Sequence, residues 1–374
     1  MRPTRATIDL AALGHNLREV RKRVGTALVL GIVKADAYGH GALLIAPALE
    51  RYGIDWLGVA LTEEGIELRE AGLRTPLLIL DGAYGQAYDQ LLAHRLTPVV
   101  FRLDHLDGLS AAAVRVGQPA QAHLKVDTGM GRLGVLLEEV ADFAAAARAR
   151  GVVLTGLCTH FANADLGDAE VTRKQMERFA AATARVRDAG HQPTLIHLSN
   201  SAAVIENTEA HGTLVRPGLM LYGHVPAARL ATAVDLRPVL RWTTEVLQVK
   251  QVPAGTKVSY GGRFVCTRES RLATLAVGYA DGFRRDFSGR VEVLVRGQRA
   301  PVLGVITMDL CVADVTEVSG VAVGDEVVLL GGQGEETITL EELARHGDTI
   351  AYEVLCGISS RVPRVAAGVP AGVL

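Results

Sequence analysis

Short apolar runs alternate with longer amphipathic segments through the first two thirds of the chain. The runs are rich in β-branched and other apolar residues, a composition that favours strands. The intervening segments, such as residues 61–72 and 169–190, repeat apolar residues at spacings of three and four, which predicts amphipathic helices. The candidate strands are residues 27–34, 56–60, 76–80, 97–101, 122–127, 153–161, 194–199 and 213–221.

A strand followed by a helix, repeated along the chain, predicts a parallel sheet. Eight such units over roughly 200 to 250 residues match the size of a (β/α)8 TIM-type barrel. An open doubly wound sheet is the alternative, but the G-x-G-x-x-G turn expected after its first strand is missing. We therefore predict an α/β fold with the barrel at residues 11–235.

The pattern changes near residue 235, where helical periodicity gives way to short strands and tight turns. Turn residues in PAGT, SGR, VRGQ and VGDE separate the apolar runs. This predicts a smaller, mostly antiparallel β domain at residues 236–374. The run RATIDL, within residues 1–10, could join that domain as an extra strand, which the sequence leaves open.

Composition then narrows the class of protein. The 374 residues are 49% hydrophobic and 21% charged, with a formal net charge of -2, and no run of Lys or Arg suggests a nucleic acid or an anionic membrane as partner. Neither a signal peptide nor an apolar stretch long enough to span a bilayer is visible, so we expect a cytoplasmic protein. The four cysteines lack C-x-x-C spacing, which argues against a zinc ribbon or a disulfide framework. We expect reduced core cysteines and no metal site.

Polar residues recur at the ends of the predicted barrel strands. In a barrel these ends share one rim, which carries the chemistry. Charged residues that merely cap strands at solvent are the simpler explanation, but similar clusters do not occur at the strand starts. The residues concerned are Lys34, Lys125, Asp127, Arg132, His160, Asn200, Ser201, Arg216 and Gly218.

Lys34 stands at the end of an apolar run. Desolvation lowers the pKa of an ammonium group, and a neutral amine can form a Schiff base with a carbonyl. Pyridoxal phosphate is the cofactor that most needs such a lysine. Its phosphate could bind near Ser201 and Gly218, after strands seven and eight, with Tyr38 in reach if the turn after Lys34 is helical. Taken alone, Ser201 is more often a helix N-cap and Tyr38 a packing residue.

Nine motifs occur in an order that resembles the alanine racemase family of pyridoxal-phosphate enzymes. They are VKADAYGHG, LKVDTGMGRLG, THFANAD, NSAA, RPGLMLYG, KVSYGG, VGYADG, TMD and AYEV. The lysine motif alone also resembles barrel-type amino-acid decarboxylases. The resemblance implies a barrel plus a β domain in a homodimer with shared active sites, pyridoxal 5'-phosphate as cofactor and alanine as substrate.

The resemblance assigns two opposed bases. Lys34 corresponds to the lysine that holds the cofactor, and Tyr260 to a base contributed by the partner subunit. Inverting a stereocentre requires proton removal on one face and delivery on the other, so two groups must flank the carbon. A phenol has an unperturbed pKa near 10, so Tyr260 needs a positive neighbour.

Arg216 corresponds to the residue that faces the pyridine nitrogen, with His160 orienting it. An arginine keeps its proton, so it leaves that nitrogen neutral and the ring a weaker electron sink, which favours racemisation over transamination. The resemblance implies cofactor binding by Lys34, Tyr38, His160, Asn200, Ser201, Arg216, Gly218, Leu219 and Tyr352. It implies substrate binding by Arg132, Met308 and Asp309, and an entrance lined by Asp165 and Tyr279.

Lys125 and Arg132 would repel each other in one cavity. In many family members the lysine matching Lys125 is carbamylated, which converts the cation into an anion; Asp127 is the alternative countercharge. Departures from the family pattern at Asp36, Thr307 and residues 283–284 concern the width of the entrance.

Other functions stay open at this point. They are a serine or broad-specificity racemase, a decarboxylase, and a non-enzymatic pyridoxal-phosphate binder. The β domain and Tyr260 argue against the binder. The sequence does not tell whether D-alanine is made for peptidoglycan or degraded.

Overall fold

The structure is a computed structural model that describes residues 3–85 and 87–368. Strand β1 (Arg5–Asp9) opens the chain and lies in the second of the two sheets described below. The strands that follow it are β2 (Leu28–Ile32), β3 (Trp56–Val59), β4 (Leu77–Ile79), β5 (Leu96–Val100), β6 (Gln121–Asp127), β7 (Val135–Leu136), β8 (Val153–Cys158), β9 (Leu195–His197) and β10 (Leu214–Val215).

These strands form a parallel barrel in the order β10-β2-β3-β4-β5-β6-β8-β9, with the short β7 beside β6. The ring closes between β9 and β10, where Thr213 N donates to Ile196 O and Arg216 N donates to Ser199 O, both at 2.9 Å. The predicted TIM-type barrel is therefore confirmed. Its eighth strand is shorter than predicted, because Pro217 lacks an N–H for the ladder and the chain turns away after Val215.

Helices connect the barrel strands and cover them on the outside. They are α1 (Leu10–Val24), α2 (Lys34–Gly39), α3 (Ala42–Arg51), α4 (Thr62–Glu70), α5 (Tyr88–Ala93), α6 (Leu103–Val116), α7 (Val140–Ala149), α8 (Ala169–Asp188) and α9 (Ser201–Glu206). The strand side chains between these layers are buried, as with Leu57, Leu77, Leu124 and Leu157 at 0% exposure. No helix in the described part of the chain is both long and apolar enough to cross a membrane.

The second sheet is antiparallel except at one edge. Its order is β19-β18-β15-β16-β17-β14-β11-β1-β20, and β1 runs antiparallel to β11 but parallel to β20. Its later strands are β11 (Leu240–Val252), β14 (Ser270–Leu275), β15 (Glu292–Val295), β16 (Gln298–Leu303), β17 (Cys311–Asp314), β18 (Glu326–Gln333), β19 (Glu336–Ile338) and β20 (Arg364–Ala367). This part of the chain also contains a separate two-stranded sheet, β12 (Lys257–Val258) with β13 (Phe264–Val265), and the helices α10 (Leu340–His346) and α11 (Ala351–Gly357).

The mostly antiparallel second sheet confirms the predicted fold class. The domain boundary between residues 235 and 236 stays a prediction, and the terminal residues it assigned, 1–2 and 369–374, lie outside the described residues. The expectation of four core cysteines is wrong for Cys356, which is exposed on α11, whereas Cys158, Cys266 and Cys311 are buried.

Candidate active site

A cavity of about 390 Å³ opens where the barrel strands end. Side chains that follow β2, β4, β8, β9 and β10 meet there, and α11 closes one side with Tyr352 and Cys356. The cavity brings together many of the residues predicted from sequence. They are Lys34, Tyr38, Lys125, Arg132, His160, Asn200, Ser201, Arg216, Gly218, Leu219 and Tyr352.

Lys34 begins a helical turn of the unusual hand. The four residues after it, Ala35 to Tyr38, have φ of 52°, 53°, 54° and 51°, and none of them is glycine. Left-handed helix places Cβ against the following carbonyl oxygen, at roughly 1–2 kcal/mol per residue. The turn after Lys34 is thus helical, as expected if Tyr38 is to reach the phosphate, but it is left-handed rather than right-handed.

Both domains restrain this left-handed turn. Within the barrel, the backbone N–H of Ala35 donates to Glu64 Oε1 at 2.6 Å. From the second sheet, Arg364 Nε donates to Gly39 O at 2.9 Å. A Cβ at Gly39 would lie 2.2 Å from Leu355 O on α11, so the backbones are in direct contact. Strained backbone persists where its surroundings over-determine it, and here the contacts come from several sides.

Hydroxyl groups and backbone amides also lie at the cavity. Ser201 Oγ accepts hydrogen bonds from Gly218 N at 2.9 Å and Met220 N at 3.3 Å. A Cβ at Gly218 would lie 2.7 Å from the Tyr38 hydroxyl, so only glycine leaves this space open. Burial raises the pKa of Tyr38, which keeps the hydroxyl a neutral donor. Asn200 instead caps α9, since its side chain accepts from Ala203 N.

Arg216 lines the cavity, is 6% exposed and is held in one orientation. Its Nη1 donates to His197 Nδ1 at 3.0 Å and His197 O at 2.7 Å. Its Nη2 donates to Thr159 O at 2.7 Å, to Leu198 O at 3.0 Å and, at 3.3 Å, to His160 Nδ1. Among the described residues, no acceptor is found for its Nε, so this N–H is left for a ligand in the cavity.

The histidines beside Arg216 are neutral acceptors. Burial, together with the positive charge of Arg216, lowers the pKa of His160 to about 3 and that of His197 well below its usual value. Since His197 accepts at Nδ1, its proton lies on Nε2, which is 2.9 Å from His123 Nδ1. A line of neutral imidazoles therefore supports the guanidinium from inside the barrel.

Buried neutral histidines make stability depend on pH. Burial lowers the pKa of His40 and His123 to about 3, below the usual value of 6.5. Below pH 6.5 these histidines bind protons in the unfolded chain but stay neutral in the folded chain. Their full contribution to the free energy of unfolding is therefore present above pH 6.5. As the pH falls towards 3, this free energy decreases by about 1.4 kcal/mol per histidine per pH unit.

We expect urea unfolding to show constant stability from pH 8 to 7 and a falling one from pH 6.5 to 5. His123→Gln should reduce that slope by about 1.4 kcal/mol per pH unit. A pH-independent free energy of unfolding down to pH 5 would contradict this expectation.

Lys125 lies in β6 and is 9% exposed. Burial is the main cause that lowers its pKa, and the positive charges of Arg216 and Arg132 lower it further. Asp127, the countercharge considered from sequence, faces its own loop, where Oδ1 accepts from Gly129 N and Met130 N at 2.9 Å. The carboxylate in the cavity is instead that of Asp81.

Family models match almost the whole chain. The model described as alanine racemase, N-terminal domain, matches residues 8–226, and the one described as alanine racemase, C-terminal domain, matches residues 239–366. The chain belongs to the alanine racemase family.

Relatives and solved structures agree with this membership. The alanine racemases of Sorangium cellulosum and Halothermothrix orenii are 46% and 43% identical, over 97% of this chain in each case and 99% and 96% of theirs. The crystal structure of alanine racemase from the D-cycloserine producer Streptomyces lavendulae has a TM-score of 0.94 at 37% identity and 98% coverage of both chains. Alanine racemase from Bacillus anthracis with bound L-Ala-P has a TM-score of 0.92 at 31% identity, covering 98% of this chain and 95% of that one.

Five residues that the alanine racemase motifs singled out are not among those that line the cavity in the described chain. Tyr260 is 73% exposed and Met308 53% exposed. Asp309 forms an ion pair with Arg361 at 2.7 Å, and Asp165 accepts from an arginine through its backbone oxygen. Tyr279 lines a separate open depression near Arg284. These residues are therefore exposed on the surface of the described chain.

The departures from the alanine racemase pattern have structural partners. Phe283 is fully buried, with its ring 5.9 Å from that of Trp242. Arg284 forms ion pairs with Asp286 and Glu353. Both residues thus have partners within the described chain.

Sequence reasoning missed several residues of the site. Asp81, Thr159 and Cys356 line the cavity, and His197 and Glu64 contact residues that do. A signal existed for His197, a polar residue inside the apolar run TLIHLS. Glu64 looked like an ordinary residue of an exposed helix face, so nothing in its surroundings along the chain marked it.

Proposed function

We propose that the protein is an alanine racemase that interconverts L-alanine and D-alanine with pyridoxal 5'-phosphate bound in the barrel cavity. The observation that carries the proposal is that one cavity is lined by Lys34, by hydroxyl residues such as Tyr38 and Ser201, and by the buried Arg216. The names of the full-length relatives agree with it.

The residues present fit this cofactor. Gly218 leaves open a space that a Cβ would fill, next to the hydroxyl groups of Tyr38 and Ser201. This space suits a phosphate group. Tyr352 lies beside Tyr38, with ring centroids 5.7 Å apart, and contributes a further neutral hydroxyl because burial raises its pKa to about 12. Leu219 and Asn200 complete that wall. Pyridoxal phosphate, when bound, supplies an aldehyde for the Lys34 amine and a ring that withdraws electrons from the α-carbon.

Arg216 would face the ring nitrogen through its free Nε–H. An arginine does not give up its proton, so it can donate a hydrogen bond but leaves that nitrogen neutral. His160 and the backbone acceptors hold the guanidinium in place. The electron density is then kept near the α-carbon, which is where a racemase must return the proton.

Two opposed groups move the proton. Lys34 Nζ takes or gives it on one face of the substrate, and Tyr260 of a second subunit acts on the other. The exposure of Tyr260, Met308 and Tyr279 supports a homodimer in which each subunit completes the other's cavity. Arg132, with Met308 and Asp309 from that second subunit, would bind the substrate carboxylate, and Asp165 and Tyr279 would line the entrance.

The assay follows optical rotation with L-alanine and with D-alanine, in parallel with L-serine and L-lysine and with carbon dioxide release. We expect both alanine enantiomers to reach the same mixture. Serine turnover at a comparable rate would instead indicate a broad-specificity racemase. Carbon dioxide release without loss of rotation would overturn the proposal in favour of a decarboxylase. A D-alanine requirement after gene disruption would assign the role to peptidoglycan supply rather than degradation.

We also propose that Lys125 carries a carbamate. Its lowered pKa favours the neutral amine, which can add to carbon dioxide with release of one proton. The resulting anion would neutralise the charge of Arg132 and hold it towards the substrate.

Native mass analysis of peptides should show one added carbon dioxide at Lys125 when bicarbonate is present. Lys174, which is exposed and paired with Glu170, serves as the unmodified control. Lys125→Glu should retain about tenfold more activity than Lys125→Ala, because it keeps an anion at this position. A free amine at Lys125 under bicarbonate would contradict the proposal.

A further inference from the structure

One carboxylate connects the lysine turn to the neighbouring strand-to-helix junction. Glu64 lies in the first turn of α4 and is half-buried. Its Oε2 accepts from Ala60 N at 2.8 Å and Leu61 N at 3.0 Å, the backbone that follows β3. Its Oε1 accepts from Ala35 N at 2.6 Å. The side chain thus holds two adjacent barrel loops at a fixed separation.

Ala35 is the residue at which such a contact matters most. It follows Lys34 directly and is the first of the four left-handed residues. The first N–H groups of a helical turn have no partner within the turn, and Glu64 supplies that partner from outside. The far end of the turn is held separately, by Arg364 on Gly39 O. Without Glu64, the left-handed turn would be held next to Lys34 only by contacts with residues close to it in the chain.

We propose that Glu64 is a positioning residue for Lys34. It holds the left-handed turn at its first residue and thereby fixes the backbone from which the Lys34 amine reaches into the cavity. The inference rests on the proposed function, because it assigns to that backbone the presentation of the amine to pyridoxal phosphate.

The test is a double-mutant cycle between Glu64→Ala and Ala35→Gly. Glycine adopts positive φ without the Cβ penalty, so it removes the strain that the carboxylate offsets. Glu63→Ala, an exposed neighbour on the same helix, is the matched control. The readouts are the rate and affinity with which cofactor-free protein takes up pyridoxal phosphate, followed by visible absorbance, then kcat and KM, and the melting temperature.

We expect Glu64→Ala to slow cofactor uptake and lower kcat by about tenfold, the scale of one hydrogen bond to a charged group, with less change in KM. In the Ala35→Gly background the same loss should shrink to below about threefold. Glu63→Ala should match the parent protein. Glu64→Gln, which keeps an acceptor oxygen, should lie between the parent and Glu64→Ala, and it replaces Glu64→Ala in the cycle if that variant does not fold.

Two results would overturn the inference. The first is cofactor uptake and kcat that Glu64→Ala leaves unchanged. The second is an equal decrease in uptake and kcat with Ala and with Gly at position 35, which would mean that Glu64 acts only through α4. Failure of the proposed function looks different. In that case the parent protein itself takes up no pyridoxal phosphate or does not racemise alanine, before any variant is compared.

Discussion

Lys34→Ala is expected to abolish both the yellow colour of the pyridoxal-phosphate complex and the interconversion of the alanine enantiomers. In the proposed mechanism, the substitution removes the amine that holds the cofactor and one of the two groups that move the α-proton, so kcat should fall by about 10⁴-fold or more. The measurement combines the visible spectrum with polarimetry from each enantiomer.

The matched control for this variant is Lys174→Ala. That lysine lies on the exposed face of α8 and pairs with Glu170, so its loss should leave spectrum and rate unchanged. The melting temperature of cofactor-free Lys34→Ala should stay close to the parent value, which separates chemistry from folding. A Lys34→Ala protein that stays yellow and active would remove the basis of the proposed mechanism.

Mixing two inactive variants is expected to restore activity. In the proposed homodimer, Tyr260→Phe and Lys34→Ala each disable one group of the site, so a dimer of either variant alone contains only damaged sites. If Tyr260 serves the partner's cavity, a mixed dimer holds one site with both groups intact and one with neither. Random pairing makes half of the dimers mixed, so co-expression should recover about a quarter of the parental activity.

The control for this experiment is the double variant Lys34→Ala/Tyr260→Phe, which should rescue neither single variant. Differently tagged subunits allow the mixed dimer to be purified and its rate measured alone. No recovery in that purified dimer would place Tyr260 in the site of its own subunit. The 73% exposure of Tyr260 in one described subunit makes recovery the expected result.

The barrel could be predicted because its signal is repeated along the chain. Each apolar run followed by an amphipathic segment adds to the same conclusion, and errors at single strand ends do not change it. The run from Thr213 onwards was extended too far because its apolar residues continue past Pro217. Those residues are buried in a 3₁₀ turn, Leu219–Tyr222, and burial rather than strand pairing explains their composition.

Only those site residues could be predicted that come just after the ends of the barrel strands. Lys34, His160 and Arg216 come just after the last paired residues of β2, β8 and β10, so topology alone brings them together. The hand of the turn after Lys34 could not be predicted, because Ala, Asp and Tyr all disfavour positive φ. It depends on contacts from distant segments, such as the bond from Arg364 to Gly39, and these are invisible in the local sequence.

Strand β1 lies between β11 and β20, so the first strand of the described chain has neighbours that come much later in the chain. During translation it leaves the ribosome long before either neighbour exists, and pairing at such sequence separation is slow. Strand β1 therefore stays unpaired while the barrel is being synthesised. Arg364 is the first residue of β20, so the lysine turn gains this support only after β20 has been synthesised. In the proposed function, the site for pyridoxal phosphate is therefore complete only after this sheet has formed.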